Sequence, residues 1–330
     1  MMERPSVPEN GLMSGRKHAL DGLRILAVAG VFLFHTVNGF ASGGSIGVDV
    51  FFTLSGFVIT LLILKEYGVS GRLRLGVFYA KRLARLWPAL LVLCAAILAV
   101  GWIFPASGWG GQQAYVLPAA GYVMNLAHFG LFGDPIAGET LGPTWTLAVE
   151  EQFYLVWPLV LLVMLRFWKV STVAWITALL AGAFLLERFL LVSGGVPLNR
   201  LYNGPDTRAD ELLLGCTLAL VFASVRTGSR FHASLQASAR LGGPLAGLAL
   251  LAAVFVFKEP DKPGTWFDLF WTAGPTVLAL LAGLAIGSLD HWFSGRTALP
   301  HGSSATPGWQ TRAGTCPMPS TSGTCRSSSC

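Results

Sequence analysis

Residues 19–40, ALDGLRILAVAGVFLFHTVNGF, are long and apolar enough to cross a bilayer, yet they carry Arg24 and His35. Helical geometry turns the eleven-residue interval through about 1100°, close to three full turns, so both side chains share one face, roughly 16 Å apart along the axis. Ionisable groups at membrane depth are costly and normally face a protein interior or a wet cavity. The bland alternative is that Arg24 snorkels to the headgroups and His35 caps the outer end.

Further apolar runs follow at about 46–64, 86–104, 145–168, 170–192, 211–225, 241–257 and 269–289. With hydrophobic residues at 53% and charged ones at only 12%, about half the share of a soluble domain, the chain reads as an all-α, polytopic integral membrane bundle of eight crossings. Residues 1–18 form a polar segment ending in Arg16 and Lys17, and Lys65, Arg72, Arg74, Lys81, Arg82 and Arg85 flank the second run. Positive charge marks the cytoplasmic side, so the first helix is expected to run outward from a cytoplasmic N-terminus, in a cell membrane. Residues 108–143 are broken by Gly, Pro, Asn125, His128 and Asp134, and are expected to form a re-entrant or interfacial piece on the outer side. Cys94 and Cys216 read as small core residues, no zinc spacing is present, and the +6 charge spread over loops does not suggest nucleic-acid binding.

Five ordered motifs, LDGLRILAVAGVFLFH (20–35), GVDVFFTLSGFVIT (47–60), FYAKRLARLWPA (78–89), TWTLAVEEQFYLVWPL (144–159) and PDTRADELLLGC (205–216), resemble the membrane-bound acyltransferase-3 family over about residues 17–290. The resemblance implies an O-acyltransferase moving an acyl group, usually acetyl, from acyl-CoA to a hydroxyl of a carbohydrate or glycosylated acceptor. That family is marked by an Arg, ten residues and a His, the spacing of Arg24 and His35.

Chemistry gives these residues roles under that reading. Imidazole suits deprotonation of a hydroxyl near neutral pH, making His35 the candidate base, with an acyl-imidazole on the same residue as the alternative. Arg24 is matched to an anionic part of the donor or to its thioester carbonyl; equally, it can pair with Asp21 one turn earlier. Arg82 and Arg85, three apart, are expected to share a face at the cytoplasmic mouth, where they bind donor phosphates or simply signal topology. Glu150 matches the family's motif glutamate and is expected at the depth of His35, to orient the imidazole or bind the sugar hydroxyl. Adjacent Glu151 must point elsewhere. Asp49, Ser55 and Tyr154 are supporting candidates, and Asp206, Arg208 and Asp210 read as a self-contained ion-pair network in an outer loop. No metal ligand set is expected. A transporter is the rival reading, although no inverted repeat is visible.

Residues 19–295 would then be an acyltransferase domain lacking the last two of about ten helices. Residues 296–330 contain no Asp or Glu and are rich in Ser and Thr, which predicts disorder. Read one frame over, the codons for residues 317–326 permit Tyr-Ala-Phe-Tyr-Leu-Trp-His-Val-Pro, a motif like one the family carries further on, which points to a frameshift near Arg296 and reduced activity.

Overall fold

The computed structural model describes residues 14–36, 42–104, 109–130, 140–225, 230–258, 260, 262 and 264–297. The 1–13 part of the N-terminal segment, Asp134, and the tail from 298 with its expected disorder and frame change lie outside them.

Helices dominate the described residues, with no strand among them. In chain order they are α1 (Ser14–Thr36), α2 (Ile46–Ser70), α3 (Leu75–Ile103), the short α4 (Val116–Ala120) and α5 (Met124–His128), then α6 (Thr144–Phe167), α7 (Val170–Ser193), α8 (Leu198–Asn203), α9 (Ala209–Ser224), α10 (Arg230–Val256) and α11 (Thr265–Thr297). Five of them, α2, α3, α6, α7 and α11 up to Leu289, are long and apolar enough to cross a membrane. The other three expected crossings are also helices: α1 carries Asp21 and Arg24, α9 is 16 residues long, and the apolar part of α10 is Arg240–Val256. The molecule is an all-α membrane bundle.

The α2 helix is its axis. Nearly every residue from Ile46 to Leu64 is buried, against α1 and α11 on one side, α9 on another and α6 on a third. The crossing with α9 is a close backbone contact. A β-carbon built on Gly56 would overlap the Leu212 carbonyl, and one on Gly215 would overlap the Thr53 carbonyl. Glycine at both positions brings the helices close enough for Cys216 Sγ to donate to Gly56 O at 3.3 Å.

One helix boundary differs from the expectation. The third helix begins eleven residues before its apolar run, so Lys81, Arg82 and Arg85 lie within it. Between α3 and α6 the described residues form only a 3₁₀ turn, Trp109–Tyr115, and two five-residue helices. At about 1.5 Å per residue none of these could cross a bilayer.

Candidate active site

Depth in the bundle is read from the α1–α2 contact. A β-carbon on Gly44 would meet Gly30 O and Phe34, and one on Gly47 would meet Ala27 O and Val31. Leu54 and Phe57 share a cluster with Leu20 and Leu23. The helices are therefore antiparallel, His35 stands near the start of α2, and Arg24 lies about level with residues 50–54. Val31, on the Arg24–His35 face, packs against the cluster of Val48, Phe52, Trp145 and Val149. This face therefore looks toward the side where α2 meets α6.

His35 is exposed. Its Nδ1 lies 2.8 Å from the Val31 carbonyl oxygen. A carbonyl can only accept, so Nδ1 carries a proton, which leaves Nε2 as the ring nitrogen able to take one. Arg24 is part-exposed, with Nη1 3.9 Å from an Asp21 carboxylate that is itself exposed. That contact is at the limit of an ion pair, and the buried Arg24 Nε has no hydrogen-bond partner among the described residues.

Glu150 is buried, and its Oε1 accepts from Ser55 Oγ and, at 2.6 Å, from Tyr154 OH. Ser55 lies eight residues past Gly47 on α2, roughly 12 Å deeper, while His35 lies at least a turn above Gly47. The expected common depth of Glu150 and His35 is therefore not met: Glu150 stands level with the Arg24 half of α1. It meets Ser55 because α6 packs parallel to α2, with Trp145 against Phe52 and Trp157 Nε1 donating to Thr60 Oγ1 at 2.9 Å.

Adjacent Glu151 points the other way, as the helical angle requires. It receives Arg82 through Nη2 at 2.7 Å and Nε at 2.9 Å, and the Arg82 guanidinium lies 3.4 Å from the Tyr154 ring centroid. Arg82 is thus drawn into the bundle beside Glu150 and does not stand at a mouth with a free fork. Arg85, one turn on, is exposed. The two arginines keep a common face, but only Arg85 has an uncommitted guanidinium among the described residues. Arg82, Glu151, Tyr154, Glu150 and Ser55 make one continuous polar layer beneath His35.

A second buried cluster was only half legible. Arg208 Nη1 bonds Asp49 Oδ1 and Glu211 Oε1, each at 3.0 Å, and its guanidinium sits 5.0 Å from the ring centroid of Tyr202 and 5.7 Å from that of Trp271. Asp210 takes a two-pronged bond from Arg188 on α7, both contacts at 2.8 Å. Asp206 pairs with Arg200. The expected self-contained Asp206–Arg208–Asp210 network therefore does not form. Each of the three turns to a different element, and Arg208 and Asp210 are buried. Asp49 belongs to this cluster and not to the polar layer of Glu150. The sequence reading passed over Arg188 and Glu211, although charges inside apolar segments were themselves the signal. Beside this cluster, burial raises the Asp206 carboxyl, but the Arg200 hydrogen bond and charge outweigh it and hold the group below its ordinary range. Among the described residues no group of His, Cys, Asp and Glu could hold a metal ion.

The model of the Acyltransferase domain family, acyltransferase 3, matches residues 17–292. Peptidoglycan O-acetyltransferase OatA of Listeria monocytogenes is 31% identical over 284 residues, covering 83% of this chain and 44% of that protein. O-acetyltransferase OatA of Staphylococcus aureus is 33% identical over 250 residues, covering 74% of this chain and 41% of that protein. The chain thus spans less than half the length of these relatives. No solved structure matches it significantly.

Proposed function

Since the chain belongs to the acyltransferase-3 family, we propose that it is an integral membrane O-acyltransferase. It would move an acyl group, acetyl by analogy with its relatives, from acyl-CoA to a hydroxyl of a carbohydrate or glycosylated acceptor. Peptidoglycan, on which the Listeria relative acts by name, is the first acceptor to try. The observation that carries this reading is the 2.8 Å contact of His35 Nδ1 with the Val31 carbonyl oxygen. An exposed imidazole with Nδ1–H held by Val31 O offers Nε2 as a base with no other protein partner among the described residues.

In the proposed reaction His35 Nε2 takes the acceptor hydroxyl proton as the oxygen attacks the thioester carbonyl. The C–O bond forms, the C–S bond breaks, and the leaving thiolate takes the proton back from the His35 imidazolium to give free CoA thiol. Arg24, whose buried Nε has no hydrogen-bond partner among the described residues, would stabilise negative charge on the donor below His35. Lys81 and Arg85 are the exposed cations of α3 suited to the donor phosphates. The Glu150–Tyr154–Ser55 layer acts by fixing the bundle around Arg82 and does not touch the His35 ring.

The test is acetyl-CoA turnover by the purified full chain in lipid nanodiscs with a peptidoglycan disaccharide as acceptor, followed by thiol release. His35→Ala should lower kcat by at least 10²-fold, within the range for loss of a general base, while leaving the melting temperature unchanged because the ring is exposed. Turnover within threefold of wild type in a folded His35→Ala protein refutes the reading.

A further inference from the structure

The buried cluster where α9 begins holds more acidic than basic groups. Arg188 and Arg208 are its two guanidiniums, Asp49, Asp210 and Glu211 its three carboxyls, and each of the five side chains is no more than 3% exposed. If all five were ionised, one negative charge would be left over in a place sealed from solvent. Charge of that kind is expensive to bury, and a carboxyl escapes the cost by keeping its proton.

The contacts single out one of the three carboxyls. Both oxygens of Asp210 accept from Arg188, at 2.8 Å each, and Oδ2 also accepts from Thr276 Oγ1 at 2.6 Å. Asp49 Oδ1 accepts from Arg208 Nη1 at 3.0 Å. Glu211 Oε1 must share that same Nη1, also at 3.0 Å, and Arg188 comes no closer to it than 3.9 Å. Its Oε2 is buried with no hydrogen-bond partner among the described residues. A charged oxygen sealed away without a donor costs far more than a neutral hydroxyl in the same place.

Among the described residues, the elements packed on the cluster bring no further cation to it. Helix α8 contributes the Tyr202 phenol ring, α6 the Trp145 indole, and α11 Trp271, Thr272 and Thr276. A metal ion would restore the balance, but no group of His, Cys, Asp and Glu among those residues could hold one. Asp49 follows Gly47 by two residues, and Gly47 meets Ala27 and Val31 of α1, so the cluster lies toward the His35 end of the bundle.

We propose that this cluster is a proton-binding site: Glu211 stands in it as the neutral carboxylic acid, its proton on Oε2, between the balanced pairs Arg188–Asp210 and Arg208–Asp49. The site does not depend on the acyl-transfer reading. Loss of the proton leaves one negative charge uncompensated where α2, α7, α9 and α11 meet. Infrared difference spectra of the purified full chain in lipid nanodiscs, wild type minus variant, read the carbonyl band of a protonated carboxyl. At neutral pH Glu211→Gln should remove one such band and keep or raise the melting temperature, because the amide is isosteric with the neutral acid. Asp49→Asn leaves two carboxyls against two guanidiniums, so Glu211 should ionise and the same band should vanish; this variant decides the matter if the glutamine one does not fold. The folded chain holds a proton that the unfolded chain gives up above about pH 4.3, so the wild-type melting temperature should fall as pH rises from there, and that of Glu211→Gln should fall less. A wild-type chain without the band, or a folded variant of either kind that keeps it, overturns the site. So does a Glu211→Gln melting temperature lowered by roughly 10 °C, the loss expected if an ionised partner of Arg208 were removed.

Discussion

Replacing Arg188 with methionine tests the buried charge cluster most sharply. Arg188 is 1% exposed, and besides its two bonds to Asp210 it donates to Thr207 O at 2.7 Å, Thr272 O at 3.2 Å and Thr276 Oγ1. It thereby ties α7 to the start of α9 and to α11. Methionine would leave Asp210, also buried, with Thr276 Oγ1 at 2.6 Å as its remaining side-chain donor. Stranding one charge of a buried pair costs about 3–5 kcal/mol. Asp210 lies in the first turn of α9, where the helix dipole returns about 0.3–1 kcal/mol. Two backbone carbonyls, however, also lose their donor at about 1 kcal/mol or more each. The expected cost is therefore about 4–7 kcal/mol, read from reversible unfolding in mixed micelles. Arg188→Met with Asp210→Leu should recover most of it, because an apolar pair of similar volume is often as stable as a buried ion pair. A single-variant cost below about 1 kcal/mol, or a double variant as costly as the summed singles, refutes the reasoning.

Helix glycines should respond in opposite directions. Gly56→Ala drives a β-carbon into the Leu212 carbonyl and should cost about 1–3 kcal/mol, whereas Gly182→Ala, with open space around it in the middle of α7, should stabilise by about 0.5–1 kcal/mol in the same assay. Because Asp206 is held below the ordinary carboxylate range, the stability it contributes is full above its unfolded value of about 4 and is lost as pH falls through the lower folded value. Asp206→Asn should flatten that acid limb of the unfolding curve, and an unchanged limb would show that the Arg200 pair contributes nothing.

Membrane class, helical content and most helix positions were legible because apolarity and helical period are local properties. The expected runs at 145–168 and 170–192 agree with α6 and α7 to within a residue. The start of α3 was missed because its first turns carry Lys81, Arg82 and Arg85, and hydropathy does not distinguish a charged helical turn from a loop. Local angle also separated Glu150 from Glu151, since neighbours on a helix point about 100° apart. Which partner each residue meets is not a local property. Asp206, Arg208 and Asp210 are close in sequence, yet they pair with Arg200, with Asp49 and Glu211, and with Arg188, on four different elements. The same limit governed Glu150. Its place in α6 was readable, but its depth relative to His35 depended on how α6 slides along α2, and the contacts at Phe52, Ser55 and Thr60 decide that. By itself, then, the sequence determined the family, the helices and the Arg24–His35 face. Tertiary packing alone decided that Arg82 is drawn to Glu151 and that Glu150 stands beneath His35, because a charge too costly to leave unpaired in a bilayer takes whichever partner the neighbouring helices bring within reach.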